Sequence, residues 1–129
     1  MITEKQLHLQ ICTYLKLQYP KVIFNTDASG MKMSIGEAVR VKKLRSSNSI
    51  PDIVIYEQYY PNINLNLSYA GLFLEVKAKT PYKKDGKLKA GEHLQKQNNM
   101  LNSLNEKGYK AVFVWEFEQA KEIIDKYLK

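Results

Sequence analysis

The chain has 129 residues, 44% apolar and 26% charged, with a net charge of +7 and a pI of about 9.4. That length suits one domain, residues 1–129, with one real core. There is no run of about 18 apolar residues, which excludes a membrane-spanning helix; the single Cys12 excludes an intrachain disulfide and a cysteine-built zinc cage. The N-terminus, Met1 to Lys5, lacks the apolar stretch of a secretory leader, so a cytoplasmic setting is expected. The positive excess points to a polyanionic partner, nucleic acid first.

Thr3-Glu4-Lys5-Gln6 has the form of a capping box, a hydroxyl at the N-cap and Gln three residues on. The helix it opens should run to about Gln18 and stop before Tyr19-Pro20. Leu7, Ile11, Tyr14 and Leu15 form its apolar stripe, and Glu4 and His8 extend that stripe backward, so Glu4 should point towards the body of the protein. Cys12 reads as a small buried apolar residue.

Val22 to Asn25 is a short strand and Thr26 to Gly30 a turn. Met31 to Arg45 is either a short helix around Gly36–Val41 or a mobile loop, and it is rich in bases: Lys32, Arg40, Lys42, Lys43 and Arg45. Ser46 to Ser49 is a loop. Pro51 suits the start of a strand, where its missing N–H does least harm, and Asp52 to Tyr56 is that strand. Glu57 to Tyr69, rich in Asn and Tyr, reads as an extended excursion between two antiparallel strands.

Gly71 to Ala78 is the central strand. Successive side chains on a strand alternate in face, so Glu75 and Lys77 share one face and Val76 takes the other. A carboxylate and an ammonium inside an apolar strand are costly unless paired or metal-bound. If the strands are adjacent, Asp52 and Glu75 meet, and two carboxylates with a nearby Lys suit a Mg²⁺ ion and an activated water. The bland alternatives are a turn residue for Asp52 and an edge-strand ion pair for Glu75 and Lys77. The apolar flanks Leu72, Phe73, Leu74 and Val76 weigh against the second.

Thr80 to Gly91 is predicted as a mobile loop bearing Lys83, Lys84, Lys87 and Lys89. Glu92 to Lys107 is the clearest helix. Gln97 falls in its apolar stripe with Leu94, Leu101 and Leu104; a satisfied buried amide would explain it equally well. Gly108 stops the helix, and Ala111 to Trp115 is an apolar strand. Strand, helix, strand make a crossover, so this strand should run parallel to the Glu75 strand. Glu118 to Leu128 is a terminal amphipathic helix. Both basic segments flank the Asp52 and Glu75 strands in sequence, which makes phosphate contact by Lys42, Lys43, Arg45, Lys79, Lys83 and Lys84 an expectation. His8 and His93 are expected to be solvated or hydrogen-bonded, not ligands.

A helix with an early Glu, a Pro51-Asp52 strand, a Glu75-Val76-Lys77 strand and a helix carrying Gln97, followed by Gly108-Tyr109, resembles the PD-(D/E)xK nuclease superfamily. Within it the chain looks like a small stand-alone VRR-NUC domain of the phage type, nearly end to end. The resemblance implies an α/β fold, a restriction-endonuclease-like αβββαβ core with a central mixed sheet flanked by helices. It implies Mg²⁺- or Mn²⁺-dependent hydrolysis of DNA phosphodiesters in a bacterial or phage-infected cell. Asp52, Glu75, Lys77 and Gln97 would be the catalytic set. Glu4, Asp52, Glu75 and the Val76 carbonyl would hold the metal, and Lys77 would orient the attacking water. Branched DNA, including four-way junctions, and a homodimer follow from the same resemblance. The Asp52-to-Glu75 interval is longer than the family's usual one. The alternatives are a nuclease-like fold that binds DNA without cutting it, and a basic RNA-binding domain.

Overall fold

The first helix begins where the capping box places it. The computed structural model describes residues 2–27, 34–47, 49–61 and 67–129. In α1 (Glu4–Gln18), Thr3 Oγ1 accepts from the Gln6 N–H at 3.1 Å, and Gln6 Oε1 accepts from the Thr3 N–H at 2.8 Å. Such a cap is worth about 1 kcal/mol. Leu7, Ile11 and Leu15 are fully buried on the helix's inner face. The Tyr19 N–H closes the last turn onto the Leu15 carbonyl, and Pro20 prevents continuation.

The remaining elements are β1 (Phe24–Thr26), α2 (Ile35–Lys43), β2 (Ile53–Ile55), β3 (Leu72–Val76), α3 (Glu92–Glu106), β4 (Lys110–Val114) and α4 (Phe117–Leu128). The sheet order is β1-β2-β3-β4, antiparallel for the first two pairings and parallel for β3 with β4. This is the mixed sheet and the crossover that the strand–helix–strand pattern implies.

The two faces of the sheet divide the core. Ile53, Ile55, Leu72, Leu74, Val76 and Val114 pack with Leu7, Ile11 and Leu15 of α1 and Ala120 and Ile124 of α4. Phe73, Ala111 and Phe113 turn the other way, against Leu94, Leu101 and Leu104 of α3. Burying one such aliphatic side chain stabilises by about 1.5–3 kcal/mol. Across the first core, Tyr14 and Tyr19 both donate to Asp125 Oδ1 at 2.6 Å, which ties α1 to α4.

Gly108 takes φ +96°, and the Tyr109 N–H then folds back onto the Leu104 carbonyl to end α3. The outer edge of β4 is closed by side chains. Asn105 accepts from the Ala111 N–H at 2.9 Å and donates to the Ala111 carbonyl at 3.0 Å. Gln119 accepts from the Trp115 N–H at 2.9 Å and donates to the Phe113 carbonyl at 3.2 Å. An edge so occupied offers few free groups to a further strand.

Several expectations shift. The central strand ends at Val76 rather than Ala78, although the Lys77 N–H still bonds the Val114 carbonyl at 2.8 Å. Thr26 belongs to β1 rather than to the turn after it; residues 28–30 and 31–33 lie outside the described residues. The basic segment forms the helix α2, none of whose residues is buried. The Thr80–Gly91 loop is a built turn: Tyr82 and Leu88 form an antiparallel bridge, and the Lys83 N–H reaches the Lys87 carbonyl at 2.7 Å. Its anchor is Tyr82, packed edge-on against Phe113 and Trp115 at 6.1 and 5.8 Å. Those two aromatic contacts outweigh the polar composition that suggested mobility.

The excursion after β2 does join antiparallel strands, and residues 62–66 within it lie outside the described residues. Tyr59 and Tyr69 bridge its base through N–H···O bonds of 2.9 and 3.0 Å. Tyr127 stacks on Tyr59 at 5.5 Å and donates its hydroxyl to the Glu57 carbonyl at 2.7 Å.

Candidate active site

The register of the β2–β3 pair determines where the first two candidates lie. Ile53 faces Leu74 and Val54 faces Phe73, so one step further Asp52 lies opposite Glu75. By alternation both leave the face that carries Ile53 and Leu74 and share the α3 face with Val54 and Phe73. The Val76 N–H donates to Asp52 Oδ2 at 2.8 Å, which fixes the Asp52 carboxylate at the mouth of the strand pair. An N–H and C=O of one strand residue point to the same side, so the Val76 carbonyl is turned to the Asp52 side as well.

Glu75 is only 4% exposed. Burial pushes its carboxyl well above the usual carboxylate range, and the hydrogen bond and charge of Asp52 push the same way. Lys77 opposes this, while Glu4 adds to it. Glu75 is therefore pressed towards its protonated form.

Lys77 stands one residue beyond β3, where its side chain reaches α3. Its Nζ donates to Gln97 Oε1 at 3.0 Å, and Gln97 is 8% exposed. The apolar stripe of α3 thus carries one amide inward, and that amide holds the ammonium. From the other face of the sheet, Glu4 Oε1 in the first turn of α1 comes to 4.0 Å from Lys77 Nζ. The Glu4 side chain is 55% exposed, so it rims the site instead of facing the core.

The basic candidates separate. Lys42, Lys43, Lys79, Lys83 and Lys84 are exposed, the last three on the Tyr82 turn and its approach. Arg45 differs: it pairs with Asp27, and both side chains are 13% exposed. Asp27 in turn donates its backbone N–H to the Asp52 carbonyl at 2.8 Å. Arg45 is thus held in an internal ion pair that fastens the segment after α2 beside Asp52. Asp27 carries no signal in the sequence, since an Asp before Ala28-Ser29-Gly30 reads as a turn residue. Of the histidines, His8 Nε2 lies 3.3 Å from Thr26 Oγ1, and His93 is exposed.

The donor chemistry fits a hard divalent cation. Two carboxylates lie in register, one of them buried and pressed towards protonation. Asp52, Glu75 and the Val76 carbonyl are oxygen donors of the type Mg²⁺ or Mn²⁺ takes. Among the described residues no three His, Cys, Asp or Glu side chains gather as a ready-made metal cluster, so a bound ion would complete its shell with water.

No family model and no curated protein matches this chain. A solved structure described as a "VRR_NUC domain protein" matches it with a TM-score of 0.65, over 99% of this chain and 89% of that one, at 20% identity. The likeness is one of fold, and it spans all the elements that carry the candidate site.

Proposed function

We propose that this protein is a metal-dependent nuclease that hydrolyses DNA phosphodiesters, with Asp52, Glu75, Lys77 and Gln97 as its working residues. The observation that carries this reading is the buried Glu75 opposite the half-buried Asp52, beside a lysine held by a buried glutamine. The fold shared with a VRR_NUC domain protein and the net charge of +7 support it.

Asp52, Glu75 and the Val76 carbonyl would hold Mg²⁺ or Mn²⁺, with Glu4 at the rim. The ion lowers the pKa of a bound water and offsets phosphate charge. The chain does the rest. Gln97 fixes the direction of the Lys77 ammonium, which then faces both the attacking water and the phosphoryl oxygens where charge develops. A preorganised cation there is worth about 3–4 kcal/mol of barrier. The exposed Lys42, Lys43, Lys79, Lys83 and Lys84 supply phosphate contacts that position the strand without reading its sequence. We assign branched DNA, four-way junctions included, as the substrate class, cut by a homodimer whose two sites act on two strands.

The test is to incubate branched and linear DNA with Mg²⁺ and with Mn²⁺, using the parent protein, Glu75→Ala and Lys77→Ala. The parent should cut and both variants should lose at least about a hundredfold. Equal cutting by all three would remove the assigned site. Tight, salt-sensitive binding without cutting by the parent would make the protein a binding module.

A further inference from the structure

A second concavity lies away from the carboxylates, on the far side of α3. It is a groove of about 300 Å³ between α3, the edge of β4 and α4. Among the described residues no charged one lines it, although 26% of the chain is charged. Its lining combines the aromatic rings of Tyr82, Phe113 and Trp115 with aliphatic side chains and with carboxamides, Asn98 and Asn102 among them. Tyr82 meets Phe113 and Trp115 edge-to-face, which leaves a rigid aromatic corner.

The four carboxamides of the groove are of two kinds. Asn105 and Gln119 are spent on the backbone of β4. The side chains of Asn98, half-buried, and Asn102, exposed and one turn on, hydrogen-bond to no described residue. A half-buried amide with two donors and an acceptor unused favours a ligand that offers both. An added peptide strand is disfavoured, because the edge it would pair with is already taken by Asn105 and Gln119.

We propose that this groove seats one unpaired nucleobase, stacked on the Tyr82–Trp115 corner and hydrogen-bonded along its polar edge by Asn98 and Asn102. A base is flat, uncharged and lined with adjacent donors and acceptors, and carboxamides match such edges. The sugar-phosphate on either side of it would meet the exposed lysines of the Tyr82 turn, Lys83 and Lys84. Gln97 and Asn98 are neighbours on α3, so one helix would hold the catalytic lysine and read a base. The inference deepens the nuclease reading and rests on it for the choice of DNA.

Trp115 is the only tryptophan, so its fluorescence reports this groove alone. The probes are single-stranded deoxythymidine and deoxyadenosine pentamers and an abasic pentamer with the same phosphates, titrated into metal-free protein. Base-bearing pentamers should quench Trp115 and bind at least about tenfold tighter than the abasic one, as stacking of one base implies. Asn98→Ala and the exposed Asn102→Ala should narrow that gap several-fold and leave abasic binding unchanged. Equal binding of abasic and base-bearing pentamers would overturn the proposal, as would equal weakening of both by the Asn changes. So would quenching by an extended apolar peptide where the pentamers give none. Cleavage is not needed for any of these readouts, so a base-dependent gap in a protein that cuts nothing keeps the groove and removes the nuclease reading, while cleavage without the gap does the reverse.

Discussion

Replacing Glu75 by Gln should make the metal-free protein more stable and the same protein unable to respond to metal. Glu75 is buried beside Asp52, and its carboxyl is raised from a model-peptide value of 4.5. Between that value and its folded titration point, the folded protein keeps a proton that the unfolded chain has released. Unfolding then releases a proton, so stability is full below pH 4.5 and falls as pH rises. Each pH unit in that window costs about 1.4 kcal/mol. From pH 5.5 to 7.0 the loss is about 2 kcal/mol, or roughly 6–8 °C in Tm for a domain of this size. Glutamine keeps the shape and carries no proton to lose, so that slope should vanish. The assay is thermal unfolding in EDTA at both pH values, parent against Glu75→Gln, followed by the same melts in Mg²⁺. The parent should regain stability with Mg²⁺, more at pH 7.0, by mass action on the folded state; the variant should not. Parallel slopes for the two proteins, or equal Mg²⁺ stabilisation, would refute the reasoning.

Two further perturbations separate structure from chemistry. Burial works against the Asp125 carboxylate, but the hydroxyls of Tyr14 and Tyr19 outweigh it and hold its pKa below the ordinary 3.8. Asp125→Ala should therefore cost about 2 kcal/mol by urea denaturation at pH 7, an effect that shrinks as pH falls below 3.8. A pH-independent loss would mean that packing, not the charge, is what Asp125 supplies. Gln97→Leu should keep the α3 stripe packed yet release Lys77; cleavage should fall about tenfold to a hundredfold while Mg²⁺ stabilisation persists, and unchanged cleavage would show that Lys77 needs no anchor.

Elements whose residues obey one period were legible before any coordinates. The capping box at Thr3 and the stripe of Leu7, Ile11 and Leu15 gave α1 almost to the residue. Leu94, Leu101 and Leu104 gave α3, and the strand–helix–strand order gave the parallel β3–β4 pair. The placement of the candidate site was legible where polar residues broke those periods, as Glu75 does in β3 and Gln97 in α3. What stayed hidden depends on long-range partners. Arg45 looked like a surface cation because Asp27, its partner, precedes it by 18 residues with no shared pattern. The Thr80–Gly91 turn looked mobile because its lysines outnumber Tyr82, and the aromatic contacts across to Phe113 and Trp115 are invisible to local composition. Nothing in the sequence singles out Asn98 and Asn102; only β4 and α4 bring them into the lining of a groove.

Those same irregularities explain why the candidate site lies where it does. β2 and β3 are short, and Asp52 and Lys77 sit just outside them while Glu75 lies one residue inside. A site in the middle of the sheet would bury both charges between two helices, with no route for water. At the strand end the Lys77 ammonium reaches Gln97 on the α3 face and still comes within 4.0 Å of Glu4 from the other. The arrangement leaves a carboxylate buried against its own kind, which lowers the stability of the metal-free fold. The compensations lie outside the carboxylate pair: the Thr3 cap, the Asp125 clamp between α1 and α4, and the amides that close the edge of β4. A local rule broken at one place and over-satisfied elsewhere is the pattern expected of a functional site, and it is the ground on which the carboxylate pair is a candidate for one.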